Sequence, residues 1–491
     1  MLERFRWPTA VWGTSRERTL DRGIPEPAGI SSSPSFDTMP SVYIKTYGCQ
    51  MNERDSEAVS VQLLARGYSL APTESEADVV LLNTCSVRDM AEQKALSRMQ
   101  NVIGADRKRG NKKIFGFLGC MAQSRGGELI DQLPGVDLVL GTQKIHRTGE
   151  YLDALLSGSR DKVVDTADEP GSESAIREHL GHGVGNDSRP VTAFVSIMQG
   201  CNQHCTFCIV PSTRGEERSR PLEDIVAECQ ELALRGVREV TLLGQIVTSY
   251  GRRMYPVQDG RSAFVQLIEA VHAIEGIDRI RFTSPHPKGY GDDLVEAYGR
   301  LQKLVESAHL PVQSGSNRLL KLMHRGYTRE RFLEIIAKLR AVRPDMGVST
   351  DIIVGFPGET EEDFQETISL CQQVQFDQAF LFKYSQRRDT PAAAMPDQIA
   401  EEVIEERHQR LLAEINRIAM AKFEALVGGL VEVLVEGPSH RNPARYEGRT
   451  RTNKITVFEG SPRHQGQLLN LRIERVGSFT LYGNPAIIGL D

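Results

Sequence analysis

From Ser41 onward, short apolar runs alternate with segments of helical period. The runs fall at 42–47, 79–83, 114–118 and 138–140, and between them 55–66 and 89–103 carry apolar residues at helical spacing. Alternating strand and helix predicts an open parallel α/β sheet. A second alternation offers six strands, at 193–198, 239–243, 279–283, 308–312, 348–354 and 379–384, with helices between them beginning at 221–234. Six such repeats predict a partial (β/α)6 barrel of TIM type, whose active site belongs at the carboxyl ends of the strands. After a helical 399–426 the pattern changes to short β-type runs at 430–435, 454–458 and 468–473, separated by Gly and Pro turns. This last part reads as a small antiparallel β-barrel. Residues 1–38 are rich in Arg, Pro and Ser without apolar periodicity and read as disordered, or as a non-native extension ahead of an initiator at Met39. Residues 157–190 read as a linker or loop excursion. The predicted domains are therefore 39–156, 191–426 and 427–491.

Composition narrows the function classes. A chain of 491 residues holds two to four domains with sizeable cores. A formal charge of -6 excludes a generally basic nucleic-acid binder but leaves room for a local basic surface. Eight scattered cysteines are too few for a disulfide scaffold, and no secretory signal is visible, so a reducing cytoplasm is expected. No apolar run reaches the ~20 residues needed to span a bilayer, so no membrane partner is expected.

The cysteines carry the chemistry. Each of the first three strands runs into one: Cys49, Cys85 and Cys120. Ligands in an open parallel sheet collect beyond the carboxyl ends of its strands, so these three should converge. The alternative is three small buried hydrophobes. Cys201, Cys205 and Cys208 stand within eight residues, directly after the first barrel strand. Thiolates favour zinc or iron–sulfur. A structural zinc wants four ligands, and the only local fourth, His204, adjoins Cys205, where closing a tetrahedron is strained. Three cysteines suit a cubane cluster with one iron left open, and the amino-terminal triplet reads as a second such cluster. Cys229 and Cys371 lie on apolar helical stripes and read as core. In the carboxy-terminal part, Arg441, Arg445, Arg449, Arg451 and Lys454 crowd a hairpin around Tyr446, which suits single-stranded or looped RNA. Interspersed glutamates leave a solvated charged face as the alternative.

Taken together, these motifs resemble a known family. Gly-Cys201-x3-Cys205-x2-Cys208 is similar to the cluster loop of radical S-adenosylmethionine (SAM) enzymes. Lys-Thr-Tyr-Gly-Cys49-Gln-Met-Asn, Leu-Asn-Thr-Cys85-Ser-Val-Arg and Leu-Gly-Cys120-Met-Ala-Gln resemble its methylthiotransferase branch. So do the stretches 209–220, 284–288, 309–316 and 351–359. The resemblance runs from about Met39 to the end. It implies two [4Fe-4S] clusters, one on Cys201, Cys205 and Cys208 that chelates and cleaves SAM, and one on Cys49, Cys85 and Cys120 that carries sulfur. It likens the last module to the TRAM domain, which binds tRNA. The implied reaction puts a methylthio group on C2 of N6-isopentenyladenosine at position 37 of tRNA. The alternatives are a threonylcarbamoylated adenosine or an aspartate of a ribosomal protein. A protein electron donor and a sulfur source are implied partners, and a monomer is expected. No catalytic acid or base is assigned beyond the cluster ligands.

On the same footing, Gly244, Gln245, Gln313, Ser314, Asp351 and Gly355 are candidates to face SAM, and Phe207 to stack on adenine. Arg214, Arg218 and Arg220 on the cluster rim, with Arg445, Arg449 and Arg451, are candidates for substrate phosphate. Pairing with Glu216 or Glu217 is the competing reading for the rim arginines. His286, His309 and His324 read as structural. The family pattern Gly-Gln-Asn-Val-Asn-Ser-Tyr is here Gly244-Gln-Ile246-Val-Thr248-Ser-Tyr250, an acid after His-Pro-Lys is Gly289, and a glycine after Tyr-Ser-x-Arg is Asp389. Ile246 removes an amide donor and acceptor from the loop, a change that bears on how SAM is positioned.

Overall fold

The computed structural model describes residues 39–485 apart from 87–88, 111, 170–171 and 173–189. The expectation for 1–38 lies outside the described residues.

The first module is a parallel sheet of β1 (Ser41–Tyr47), β2 (Ser69–Leu70), β3 (Val79–Thr84), β4 (Ile114–Leu118), β5 (Leu138–Leu140) and β6 (Val163–Asp165), in the order β2-β1-β3-β4-β5-β6. The central strand β3 is buried at every residue, which is why its sequence is a continuous apolar run. Alternate residues of its strands feed two separate cores: Val80, Leu82, Phe117 and Val139 on one face, Val79, Leu81, Leu138 and Leu140 on the other. β6 corrects the expected 157–190 linker. Its Val163 is buried and it pairs with β5, extending the sheet into a stretch too short and too polar to show a period.

The second module has β7 (Thr192–Ser196), β8 (Met198–Gln199), β9 (Arg218–Ser219), β10 (Glu239–Leu243), β11 (Arg279–Phe282), β12 (Ser307–His309), β13 (Gly347–Val354) and β14 (Gln378–Lys383). Six of these form two parallel three-stranded sheets, β7-β10-β11 and β12-β13-β14, as a partial barrel requires. A single parallel bridge from Ile280 to Leu304 continues from one half to the other. β8 and β9 were not expected. They pair antiparallel and bracket the loop that carries Cys201, Cys205 and Cys208. Cys229 and Cys371 are buried in the main core, as their stripes predict.

The long helix Glu401–Glu424 leads to a closed barrel of β15 (Leu430–Pro438), β16 (Tyr446–Thr450), β17 (Ile455–Phe458), β18 (Leu468–Val476) and β19 (Thr480–Pro485), ordered β15-β16-β17-β19-β18. Its ladders are antiparallel except β17–β19, which is parallel and closes the cylinder. This barrel is fastened near the amino ends of the central strands. Arg279, with no exposed surface, reaches Glu432 at 2.8 Å and the Arg449 carbonyl at 2.8 Å. Arg281 donates to the carbonyls of Thr450 at 2.7 Å and Arg451 at 3.0 Å, and Lys454 meets Asp377 at 2.6 Å.

Candidate cluster site between the modules

The amino-terminal cysteines are held by turns that only glycine permits. Gly48 has φ +139°, and a Cβ there would lie 2.2 Å from Cys85 Cβ. Gly119 has φ +87°, and its Cβ would strike Asn83 Oδ1 at 2.2 Å. Behind them, Asn52 Nδ2 donates to Asn83 Oδ1 at 2.7 Å and Asn83 Nδ2 returns a bond to the Asn52 carbonyl at 2.9 Å. Cys49 lies beside Cys85, and Arg214 reaches both Cys49 and Cys120. The Cys49 thiol is drawn down to about 6, first by its hydrogen bond with Cys85, with Arg214 also acting. Burial pushes Cys120 up, opposed by the same Arg214, which also hydrogen-bonds it.

The second triplet sits on the loop between β8 and β9. Gly200, at φ +77°, starts it where a Cβ would lie 1.9 Å from the Glu216 carbonyl oxygen. The Cys201 amide donates to the Gly215 carbonyl at 3.1 Å and the Cys208 amide to the Cys205 carbonyl at 3.0 Å. The loop is clamped from outside by Thr206, whose amide and hydroxyl donate to the Met323 and Leu322 carbonyls at 3.3 and 3.0 Å. Burial pushes Cys201 up and Cys208 to about 12. Arg325 Nη1 donates to Cys205 Sγ at 3.3 Å.

A cavity of about 2260 Å³ connects the modules, touching Cys49 and Cys85 on one side and Phe207 and Cys208 on the other. It continues past Ser284, Gln313 and Asp351 to Arg449 and Asn453 of the last barrel. Among the described residues no three His, Cys, Asp or Glu side chains gather closely enough to hold one ion. A cubane takes one thiolate on each of three irons, so its ligands stand farther apart than those of a single ion. The donor set of three sulfurs, on loops shaped by glycine, fits that cluster at both places. His204, the fourth ligand a zinc loop would need, is exposed.

The other expected residues divide. Gln313 holds φ +72° and Ser284 φ +59°, left-handed conformations rare outside glycine, and both line the cavity. Gln245 Oε1 is buried with no hydrogen-bond partner among the described residues, though Gln245 is not among the residues lining the cavity. Asp351 lines the barrel interior 3.5 Å from His309 Nε2. Phe207 packs against the cluster of Leu319, Met323 and Phe356 and also reaches the cavity. Gly244 lets the chain pass Met198, whose Cγ a Cβ would meet at 2.5 Å. Ser314 and Gly355 do not face the cavity. The Ser314 hydroxyl accepts from the Ser316 amide at 3.1 Å, and Gly355 packs on Ile404 and donates to Glu359 at 2.8 Å.

Two rim arginines are corrected outright. Arg214 is 4% exposed and pairs with Asp55 of the first module at 2.7 Å. Arg220 is 3% exposed and bonds Glu228 at 2.7 Å and the Ser196 carbonyl at 2.6 Å. Both are enclosed because the two modules meet on this rim, which leaves no route to a phosphate. Glu216 and Glu217 are not their partners. Arg218 donates to Ser172 Oγ at 3.2 Å. Arg451 is engaged with Glu306 of the barrel. Arg449 faces Glu436 at 3.2 Å, and Arg445 stands 3.6 Å from Glu459 on the outer side.

Of the departures from the family pattern, Thr248 and Gly289 face each other. A Cβ at 289 would come within 2.8 Å of Thr248 Oγ1, which accepts from the His286 amide at 3.2 Å. Asp389 keeps the left-handed backbone of the glycine it replaces, at φ +59°. His309 is hydrogen-bonded to Ser349 at 2.9 Å, His324 is exposed, and His286 is buried with an unpartnered Nε2.

Comparison with known proteins assigns each module. Residues 195–371 match the Radical SAM superfamily, 41–141 the uncharacterized protein family UPF0004, and 424–486 the TRAM domain. The chain is 53% identical over 476 residues to the tRNA-2-methylthio-N(6)-dimethylallyladenosine synthase of Opitutus terrae, covering 92% of this chain and 98% of that one. It is 52% identical to the enzyme of the same name from Akkermansia muciniphila, covering 91% and 99%. Among solved structures, the radical SAM methyltransferase TsrM of Kitasatospora setae, with cobalamin and a [4Fe-4S] cluster bound, shares the fold at TM-score 0.53 and 12% identity, over 72% of this chain and 74% of that one. A cavity reached by cysteines of both triplets, three matched modules and identity above one half along nearly the whole length place the chain in the radical SAM family of tRNA-2-methylthio-N(6)-dimethylallyladenosine synthases.

Proposed function

We infer that this chain adds a methylthio group to C2 of N6-isopentenyladenosine at position 37 of tRNA, the reaction for which its relatives are named. The observation that carries the reading is the single cavity shared by Cys49 and Cys85 of one module and Cys208 of the next. Bound at the two triplets, [4Fe-4S] clusters and SAM would supply the one-electron C–H chemistry and the sulfur, which no side chain here provides. The chain's own part is ligation, placement and exclusion of water. Gly48, Gly119 and Gly200 set the cysteine turns. Gln245 and the strained Gln313 offer polar atoms at strand ends. The paired Arg214 and Asp55 hold the two cysteine modules in register. Of the three barrel arginines expected to meet phosphate, Arg449 at the far end of the cavity and Arg445 outside it remain candidates to guide tRNA, once Arg451 is engaged with the barrel.

A second cluster, a protein electron donor, a separate sulfur source and a monomeric state complete the proposal. No helix among the described residues is long and apolar enough to cross a membrane. The free thiols suit a reducing cytoplasm. Anaerobic reconstitution should give roughly eight irons per chain from two cubanes. The reconstituted enzyme, given tRNA bearing N6-isopentenyladenosine, tRNA bearing N6-threonylcarbamoyladenosine and a ribosomal protein in parallel, should yield methylthio product on the first alone, read by nucleoside mass spectrometry. Product on the ribosomal protein only would reject the tRNA assignment.

A further inference from the structure

Among the described residues seven arginines are buried: Arg54, Arg214, Arg220, Arg279, Arg281, Arg325 and Arg407. Six of them meet a carboxylate. Arg54 and Arg220 share Glu228, Arg214 has Asp55, Arg279 and Arg281 have Glu239 and Glu432, and Arg407 has Glu359. Arg325, 6% exposed, has none among the described residues. An isolated guanidinium removed from water costs several kcal/mol, so a buried cation is retained only beside compensating charge.

Each of its three side-chain nitrogens has a partner. Nε donates to Tyr327 Oη at 3.2 Å, Nη2 to the Pro311 carbonyl at 3.0 Å and Nη1 to Cys205 Sγ at 3.3 Å. Only the third partner belongs to the cysteine triplet, so the guanidinium is aimed at a cluster sulfur. His286, which lies against Tyr327, is held neutral by burial and by Arg325 and Lys288, so it adds no competing cation. The backbone is shaped for the placement: His324, a non-glycine, takes φ +55° immediately before Arg325, and Gly326 takes φ +68° after it. The same turn borders the carbonyls that clamp Thr206 of the cluster loop, so the arginine and the cysteines are fixed to one another.

We propose that Arg325 is the built-in counter-ion of the cluster on Cys201, Cys205 and Cys208, a positioning residue whose fixed charge and Nη1–H at Cys205 Sγ favour the reduced cluster. The inference rests on the cluster assignment above but on no particular substrate. One electron, delivered by the donor protein, enters the cluster and makes the assembly one charge more negative. No bond of the chain forms or breaks. A fixed cation and an N–H donor at a ligating sulfur stabilise the more negative state, so they raise the reduction potential.

The test is the midpoint potential of the SAM cluster in reconstituted full-length enzyme, followed by electron paramagnetic resonance and identified by the change of its signal when SAM is added. Arg325→Met should make the cluster at least tenfold harder to reduce, a midpoint lower by about 59 mV for one electron. Arg325→Lys, which keeps the charge, should recover part of the shift. The potential of the other cluster should stay where it was. An unchanged SAM-cluster midpoint in Arg325→Met overturns the proposal. If Arg325→Met does not load its cluster, the neutral but polar Arg325→Gln is measured against the same criterion. If neither loads, the cluster-free proteins decide. Without a cluster the arginine is a buried charge with little to oppose it, so the neutral variants should melt at or above the parent; melting below it overturns the proposal. Failure of the parent itself to bind iron at this triplet would instead strike the cluster assignment, a different result from any of these.

Discussion

Replacing Glu228 by alanine tests whether the junction of the first two modules depends on buried charge. Glu228 is 2% exposed and bridges two guanidinium groups from different modules, Arg54 Nη2 at 3.0 Å and Arg220 Nη1 at 2.7 Å. Arg54 Nε and Arg220 Nε and Nη2 are buried without a hydrogen-bond partner, and the second carboxylate near Arg54, Glu57 at 3.5 Å, is half exposed, so Glu228 is the buried compensating charge. Removing one partner of a buried pair costs about 3–5 kcal/mol, because the charge left behind stays desolvated. Arg54 keeps Glu57 at 3.5 Å while Arg220 is left with no carboxylate, so the lower part of that range applies. A chain of several modules does not unfold in one step, and native-state hydrogen exchange of the facing helices Gln50–Ala65 and Leu222–Leu234 is the suitable assay. A loss of that size speeds exchange through the opened junction by roughly 10²- to 10³-fold. Because Arg220 also bonds the carbonyl of Ser196 in β7, the amides at the start of the cluster loop should accelerate with it. Replacing all three residues by Met or Leu should restore protection, since apolar packing of similar volume removes the desolvation cost along with the pair. A change below about 1 kcal/mol in Glu228→Ala, the range of exposed pairs, would refute the reasoning.

Other consequences are more direct. Cys49→Ala should retain reductive SAM cleavage, measured as 5′-deoxyadenosine, and lose methylthio product, whereas Cys205→Ala should lose both; equal loss of cleavage in the two would contradict the division between triplets. Gly48→Ala places a Cβ 2.2 Å from Cys85 Cβ at a φ of +139°, so iron content should drop from roughly eight to roughly four per chain while SAM cleavage persists. In tRNA binding, Arg445→Ala should lower the slope of log affinity against log salt by about one, the signature of a lost phosphate contact. Arg451→Ala should leave that slope alone and instead loosen the last barrel, because its guanidinium is spent on Glu306.

What the sequence disclosed and what it withheld follow from the range of the interactions concerned. The cysteines were legible because their meaning is local: three within one loop, and three others each directly after an apolar strand. Strand order then sets the distant three along one edge, since a parallel sheet collects its strand ends there. The six barrel strands and the closed terminal barrel were legible for the same reason, as period and turn chemistry act over a few residues. The arginines were not. Arg214, Arg220 and Arg451 carry the same composition signal as any rim cation, and what separates a phosphate ligand from a structural ion pair is a carboxylate far along the chain, such as Asp55 for Arg214 or Glu306 for Arg451. Arg325 is illegible for the opposite reason: its distinguishing feature is the lack of such a carboxylate among the described residues, which only the pairing of the other buried arginines makes visible. The β8–β9 pair and β6 are too short to hold a period, and each matters through what it brackets or extends. The charges that sequence placed on the substrate side therefore serve to press the modules together around the cavity. A cluster site shared between two domains needs such a rigid junction, because a displacement of about 1 Å at reacting groups costs about 10²-fold in rate.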